Sequence, residues 1–322
     1  GSIVAKYRKT HLYYEPAFDA NPHPAPVYFS TWKSSARVGL LICFDIVHAT
    51  PMLDLVREGE ATMIAFSTWW PNYPPLLTGT QMQSGFVRAF PHMSLFAAGT
   101  GYGGGQLSGS GVYSTADPSV SIVQGLHPIS TVLSASVSIQ DKHGMPEKIF
   151  KAVQSKTTVD QDHSTGDFQV NVTAFEPATV TCSVVLQAST DAVSCEMTLE
   201  PLAKDHKNEG NVSYGLVAAS GIYHGLFPSI FCALIPCQAG DESCFDGANW
   251  AELPPPMTNM EVHIEIVSAV NQSSFTIFPQ GDSGNMSALL DDAIVSFNSS
   301  VIELNTSASN SVSTLALVGI QL

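Results

Sequence analysis

The chain has 322 residues, of which 44% are hydrophobic and only 13% charged. Thirteen basic residues stand against 28 acidic ones, a formal net charge of −15. That length suggests two domains with a sizeable core, and the acidity excludes nucleic acid and anionic membrane surfaces as electrostatic partners.

Taken in chain order, residues 1–140 read as an α/β domain. Ile3 to Tyr7 is predicted as a strand, the prolines at 22, 24 and 26 mark an extended loop, and Val27 to Thr31 is a short strand. Arg37 to Phe44 is a continuous apolar run, the pattern of a strand buried on both faces. Pro51 to Glu58 suits a helix, with Thr50 as N-cap and the proline in its first turn. Ala61 to Ser67 is the next buried strand, Thr78 to Phe90 a helix and Ser94 to Ala98 a strand. The glycine-rich stretch Gly101 to Gly111 lacks the lysine and helix signals of a phosphate-cradling loop. Gly111 to Ser114 and Ser130 to Val137 close the domain as strands. The polar stretch 141–167 is the expected linker. Residues 168–322 then alternate apolar and polar, with turn signals between: Phe168 to Val172, Ala178 to Leu186, Ser194 to Leu199, Ser213 to Val217, Val262 to Val267, Ser274 to Phe278 and Ser313 to Ile320. This predicts an all-β domain, a sandwich.

No run reaches the roughly 20 apolar residues of a membrane-spanning helix. A lipid-anchor signal beyond Leu322 stays open, and a leader would precede Gly1. Six N-x-S/T sequons, at Asn171, Asn211, Asn271, Asn285, Asn298 and Asn305, all fall in the second half. With so few charges on the surface, they point to a glycosylated, secreted protein. Five cysteines besides Cys43 lie in the same half: Cys182, Cys195, Cys232, Cys237 and Cys244. No histidine completes a four-ligand zinc pattern, so disulfides are expected and no metal or cofactor. Cys182 with Cys195, and Cys237 with Cys244, are the expected pairs.

The chemistry centres on Cys43. It ends the apolar run Val38-Gly39-Leu40-Leu41-Ile42 and precedes Phe44-Asp45-Ile46, and Lys9 lies upstream. A strand that delivers a thiol at its C-terminal end, with a lysine one loop away, is a way to build a cysteine nucleophile, because the ammonium charge favours the thiolate. A lone cysteine in such a run is also a common packed apolar residue.

Two motifs decide between these readings. Lys6-Tyr7-Arg8-Lys9-Thr10-His11-Leu12-Tyr13 and Gly39-Leu40-Leu41-Ile42-Cys43-Phe44-Asp45-Ile46 together resemble the lysine and nucleophile motifs of the nitrilase superfamily, the carbon–nitrogen hydrolases. Tyr13-Tyr14-Glu15-Pro16-Ala17-Phe18-Asp19, Ser67-Thr68-Trp69, Gly109-Ser110-Gly111-Val112-Tyr113 and the Cys232-x4-Cys237 spacing are similar to the secreted pantetheinase (vanin) and biotinidase branch. The resemblance implies a nitrilase-type α-β-β-α sandwich followed by an all-β domain, and a Glu–Lys–Cys triad. Carried over, Cys43 is the nucleophile, Lys9 and the Phe44 N–H hold the oxyanion, and Trp69 and Trp70 wall the substrate pocket. Glu15 is a candidate partner of Lys9. Gln81 stands where several relatives carry a glutamate that supports the lysine. His11 is expected to pack or bond locally, and His48 not to form a Cys–His dyad. The triad's glutamate precedes the lysine in the family, yet only eight residues precede Lys9 here. The expectation is therefore an incomplete nitrilase domain, its base carried on a missing N-terminal segment or a second chain. The partner is a small-molecule amide. Pantetheine-like and biotinyl amides, or a lapsed structural or binding glycoprotein, are the alternatives.

Overall fold

The structure is a computed structural model, and it describes residues 1–57, 61–71, 76–99, 109–114, 122–123, 132–139, 169–175, 180–187, 192–201, 212–223, 227–238, 260–268, 275–282, 294–297, 301–306 and 314–321. The chain divides into two compact units. One comprises Gly1–Asn72, Thr78–Pro146 and Leu322; the other comprises Tyr73–Leu77 and Glu147–Gln321.

The first unit is α/β. Its six-stranded sheet runs β1-β2-β3-β4-β5-β6, with β1 at Tyr28–Ser30, β2 at Arg37–Ile42, β3 at Met63–Ser67, β4 at Ser94–Ala98, β5 at Ser110–Ser114 and β6 at Ile122–Val123. Strands β2, β3 and β4 are parallel, and the outer pairings are antiparallel. Helix α1 (Ala49–Arg57) connects β2 to β3, and α2 (Gly79–Ala89) connects β3 to β4. Parallel neighbours require such crossovers, but β2 is not buried on both faces as its apolar run suggested: Gly39 and Leu41 are buried, whereas Val38, Leu40 and Ile42 on the other face are half-buried. Gly39 sits where α1 crosses the sheet: a Cβ there would come within 2.8 Å of Ile64 Cδ1 and 3.1 Å of Leu55 Cδ2. Within α1, Thr50 is extended (φ −105°, ψ 124°), so the regular helix starts at Pro51, as the residue before a proline avoids the helical region. At α2 the Thr78 hydroxyl accepts from the Gln81 N–H at 3.3 Å, and Gln81 Oε1 accepts from the Thr78 N–H at 3.0 Å, a reciprocal capping box.

Two predicted strands of this unit are not strands. Ile3 to Tyr7 has no ladder partner among the described residues, and Ile3 and Val4 are exposed; the segment is held by side-chain bonds at its end instead. Residues 132–137 are likewise irregular. The expected linker, 141–167, lies outside the described residues, as does 101–108 of the glycine-rich stretch.

The second unit is all-β among its described residues. One five-stranded antiparallel sheet runs β13-β16-β11-β10-β7, and another runs β14-β15-β12-β9-β8. These strands are β7 Gln169–Phe175, β8 Val180–Gln187, β9 Ala192–Pro201, β10 Val212–Tyr223, β11 Phe227–Gln238, β12 Met260–Ser268, β13 Phe275–Asp282, β14 Ile294–Phe297, β15 Val301–Thr306 and β16 Thr314–Gln321. The longest pairing joins β10 and β11 from Val212↔Gln238 to Tyr223↔Phe227. Strand β11 escapes sequence reading because it does not alternate and contains Pro228 and Pro236, which argue against a central strand.

The expected Cys182–Cys195 disulfide is corrected by this topology. Cys195 on β9 pairs with Cys232 on β11, so the bond joins the two sheets across a Cα–Cα distance of 5.5 Å. In the β8–β9 register Cys195 faces Val184, and Cys182 faces Met197. The two cysteines on neighbouring strands are thus displaced from each other. Cys195 and Cys232 are both fully buried. Cys244 lies outside the described residues, so the expected Cys237–Cys244 pair does too.

Candidate active site

The site begins with the end of β2. The extended backbone stops at Ile42 (φ −126°, ψ 115°), and Cys43 turns into the left-handed region with φ +48°. A non-glycine residue at positive φ is held there against local strain, a state that clusters at functional turns. The residues that follow, Cys43–Val47, form a single 3-10 helix. Cys43 is therefore not the last residue of a strand, as Arg37 to Phe44 suggested, but the corner between strand and helix. It is half-buried and its thiol is free. Open α/β sheets place their sites at the C-terminal ends of parallel strands, and Cys43 stands at such an end.

Two residues after Cys43, Asp45 is fully buried. Its carboxylate accepts from the Tyr7 hydroxyl at 2.7 Å, the His11 N–H at 2.7 Å and His11 Nδ1 at 3.1 Å, and it lies 3.2 and 3.3 Å from the Thr10 amide nitrogen. The segment carrying Lys9 is thereby docked on the Cys43 turn from both sides of the lysine. Burial pushes the Asp45 carboxyl upward, but the bonds from His11, Tyr7 and the Thr10 amide outweigh it and hold it below the ordinary carboxylate value. Burial, then the bond to Asp45, raises the Tyr7 phenol well above its usual value, so Tyr7 stays a donor.

Lys9 itself turns to Glu15. Its ammonium bonds Glu15 Oε2, and that oxygen also accepts from the Tyr13 N–H at 3.1 Å. Only 10% of the Lys9 side chain is exposed, so this is no solvated surface lysine. The expected partnership of Glu15 with Lys9 is present. Burial raises the Glu15 carboxyl and the bond from Lys9 lowers it, with a net shift downward.

Aromatic rings close the turn. Tyr13 meets Phe44 edge-on at 5.3 Å, Phe44 meets His48 at 4.8 Å, and His48 stacks on His11 at 3.7 Å with planes 9° apart. Burial, with His11 adding to it and Asp45 opposing, pushes His48 down to about 3. A neutral histidine stacked on another ring is a packing element, consistent with the reading that set aside a Cys–His dyad. His11 packs, as one of the two expected alternatives had it, through its stack on His48; its hydrogen-bond partner is Asp45, 34 residues away, and not a local group.

Beyond the turn, β3 ends in register with β2, Ser67 opposite Ile42, so the residues after Ser67 leave the sheet on the edge where Cys43 stands. Trp69 is 63% exposed there and Trp70 only 3%. The pair expected to share one role is split: Trp69 presents its indole to solvent, and Trp70 belongs to the core. Gln81 closes the capping box of α2, a position that a glutamate would fill equally well, so the cap does not account for the departure from the relatives' glutamate. Sequence reasoning gave Asp45, Tyr7 and Thr10 no part in the site. The available signal was an acidic residue directly after a buried run, since a buried carboxylate requires donors.

No family model matches the chain. Among curated proteins, a pantetheine hydrolase of Homo sapiens is 36% identical over 120 residues, 37% of this chain and 22% of the relative. The biotinidase of Takifugu rubripes is 28% identical over 261 residues, 76% of this chain and 51% of the relative. The chain's homologues are the pantetheinases and biotinidases of the nitrilase superfamily. The biotinidase of Rattus norvegicus is 36% identical over 115 residues, 35% of this chain and 21% of the relative. The chain thus spans about half the length, or less, of the curated relatives it matches. No helix among the described residues is long and apolar enough to cross a membrane.

Proposed function

We propose that the chain carries the nucleophile and the oxyanion lysine of a secreted amidohydrolase that cleaves a linear, pantetheine-like amide. The observation that carries this reading is the Cys43 corner: a free thiol at positive φ at the end of a parallel strand, with the Lys9 segment docked on it. The relatives' names supply the reaction class.

In this reading Cys43 Sγ attacks the amide carbonyl, and the developing oxyanion is held by the Lys9 ammonium and the Phe44 N–H. The C–N bond breaks, the amine leaves with a proton, and a thioester remains on Cys43. Water then hydrolyses the thioester and returns the thiol. A carboxylate must take the thiol proton and give it to the amine. Asp45 has four donors around it and Glu15 holds Lys9, so neither is assigned that role; the resemblance to the nitrilase superfamily implies a glutamate for it. Residues 1–140 would then be the later part of a nitrilase α-β-β-α sandwich, joined through 141–167 to the β-rich domain 168–322. Trp69 would wall the acyl pocket. A fluorogenic anilide of pantothenate, given to the full-length protein, tests the reading. Hydrolysis with an acyl adduct trapped on Cys43 is expected; hydrolysis unchanged in Cys43→Ala, or none in the parent, overturns it.

A biotinidase-like amidase is the second reading, favoured by the Takifugu rubripes biotinidase, whose match extends over 76% of this chain. The same assay with a biotinyl anilide separates the two. The buried Cys195–Cys232 bond supports an oxidising compartment, and with it glycans on several of Asn171, Asn211, Asn271, Asn285, Asn298 and Asn305.

A further inference from the structure

We propose that Asp45 is a positioning residue for the reaction: its buried carboxylate fixes the Lys9 segment against the Cys43 corner, and thereby sets where the ammonium stands relative to the sulfur. The inference rests on the nitrilase-type reading of Cys43 and Lys9, and it adds to that reading a group that does not touch substrate.

The argument is one of connectivity. Residues 1–13 have no place in the sheet, so no ladder fixes Lys9. What docks its segment on the Cys43 turn is the Asp45 side chain, while the Lys9 carbonyl also accepts from the Asn21 N–H at 3.1 Å and its ammonium bonds Glu15. Asp45 binds Tyr7, two residues before Lys9, and Thr10 and His11, the two residues after it. All four donors converge on a group with no exposed surface. On its own side Asp45 belongs to the 3-10 helix that starts at Cys43, and its carbonyl oxygen accepts from the His48 N–H at 3.3 Å, closing that turn. One residue therefore ties both the turn that aims the thiol and the loop that aims the ammonium. The second tie, Glu15, sets the far end of the lysine side chain, its carboxylate taking the Lys9 ammonium and the Tyr13 N–H. A carboxylate suits the task because two oxygens can take four donors, whereas an amide of the same shape would present an N–H to at least one of them.

The reaction makes this placement matter. An oxyanion donor acts over a hydrogen-bond length, and misplacing a catalytic group by about 1 Å costs roughly a hundredfold in rate.

The experiment compares Cys43→Ala, Lys9→Ala, Asp45→Asn and Tyr7→Phe in the full-length protein, with pantothenate and biotinyl anilides. For Lys9→Ala, Asp45→Asn and Tyr7→Phe activity is expressed per intact site, counted by iodoacetamide labelling of Cys43 in the folded protein, and for Cys43→Ala per folded chain. Asp45→Asn is expected to lower kcat about a hundredfold with KM little changed. Tyr7→Phe, which removes one bond to a charged acceptor and spares the fold, is expected to lower kcat about tenfold. If Cys43→Ala and Lys9→Ala abolish turnover while Tyr7→Phe, and Asp45→Asn where it folds, keep the parent kcat per intact site, Asp45 is merely structural and the inference fails. If Cys43→Ala or Lys9→Ala keeps turnover, the functional reading itself fails, whatever Asp45 does.

Discussion

Cys43 and Cys195 show what one residue type becomes in two settings. Cys43 stands past the end of a strand, at φ +48°, half-buried, with a free thiol. Around its turn lie Asp45, two histidines and Phe44 and Tyr13. Cys195 lies in the middle of β9, fully buried, and bonds Cys232 from the facing sheet. A strand interior offers a cysteine only apolar neighbours and a partner strand, so the sulfur serves as a staple. A strand end offers a turn, charged neighbours and access, so the sulfur can serve as a nucleophile. Position within the element separates the roles.

The sharpest way to break this contrast is Cys43→Ala. It should lower amide hydrolysis by about 10⁴-fold or more, with the unfolding midpoint nearly unchanged. A large loss of stability with partial activity would make Cys43 a core residue instead. The opposite pattern is expected for Cys232→Ala. The bond it removes closes a span of 37 residues, so the β-rich unit should lose about 4 kcal/mol, read by denaturant unfolding. Iodoacetamide should label Cys43 in the native protein and reach Cys195 and Cys232 only after reduction and denaturation. Labelling of either before reduction would erase the distinction.

Acid should weaken the Cys43 region in a defined window. His48 titrates near 6.5 when unfolded and is pushed down to about 3 when folded, so the unfolded chain binds more protons between those values. Stability is therefore fully present above pH 6.5 and is lost as pH falls toward 3. Asp45, held below its ordinary value, adds a loss in the same direction at the acid end. His48→Phe should flatten the upper part of this decline, a difference of about 3 kcal/mol at pH 4 in urea unfolding. The smallest effect is expected at α2, where Thr78→Ala removes one cap and costs about 1 kcal/mol without altering kcat.

Much of the parallel core was legible because its signals are local. The apolar runs of β2, β3 and β4 and the helix from Thr78 to Phe90 lie in consecutive residues, and the structure has them within a few positions. Ile3 to Tyr7 was not legible, although its composition favours a strand, because a strand also needs a neighbour and this segment is instead held by side chains. In the second unit, β11 was lost to its prolines, and the disulfide partner was lost with it. Pairing across neighbouring strands chose Cys182, whereas the partner comes from the facing sheet.

By itself, the sequence determined the class of the first unit, the singling out of Lys9 and Cys43 by their paired motifs, and the β-rich character of the remainder. Each is written in residue type at short spacing: an apolar run, a motif, an alternation. Only the tertiary structure decided that Cys43 is a left-handed corner, that Asp45 docks Lys9's segment from 34 to 38 residues away, and that Cys195 meets Cys232. The physical reason is the same in all three. A buried carboxylate, a strained turn and a cross-sheet bond are each satisfied by groups distant in the chain, and no local pattern encodes which distant group will arrive.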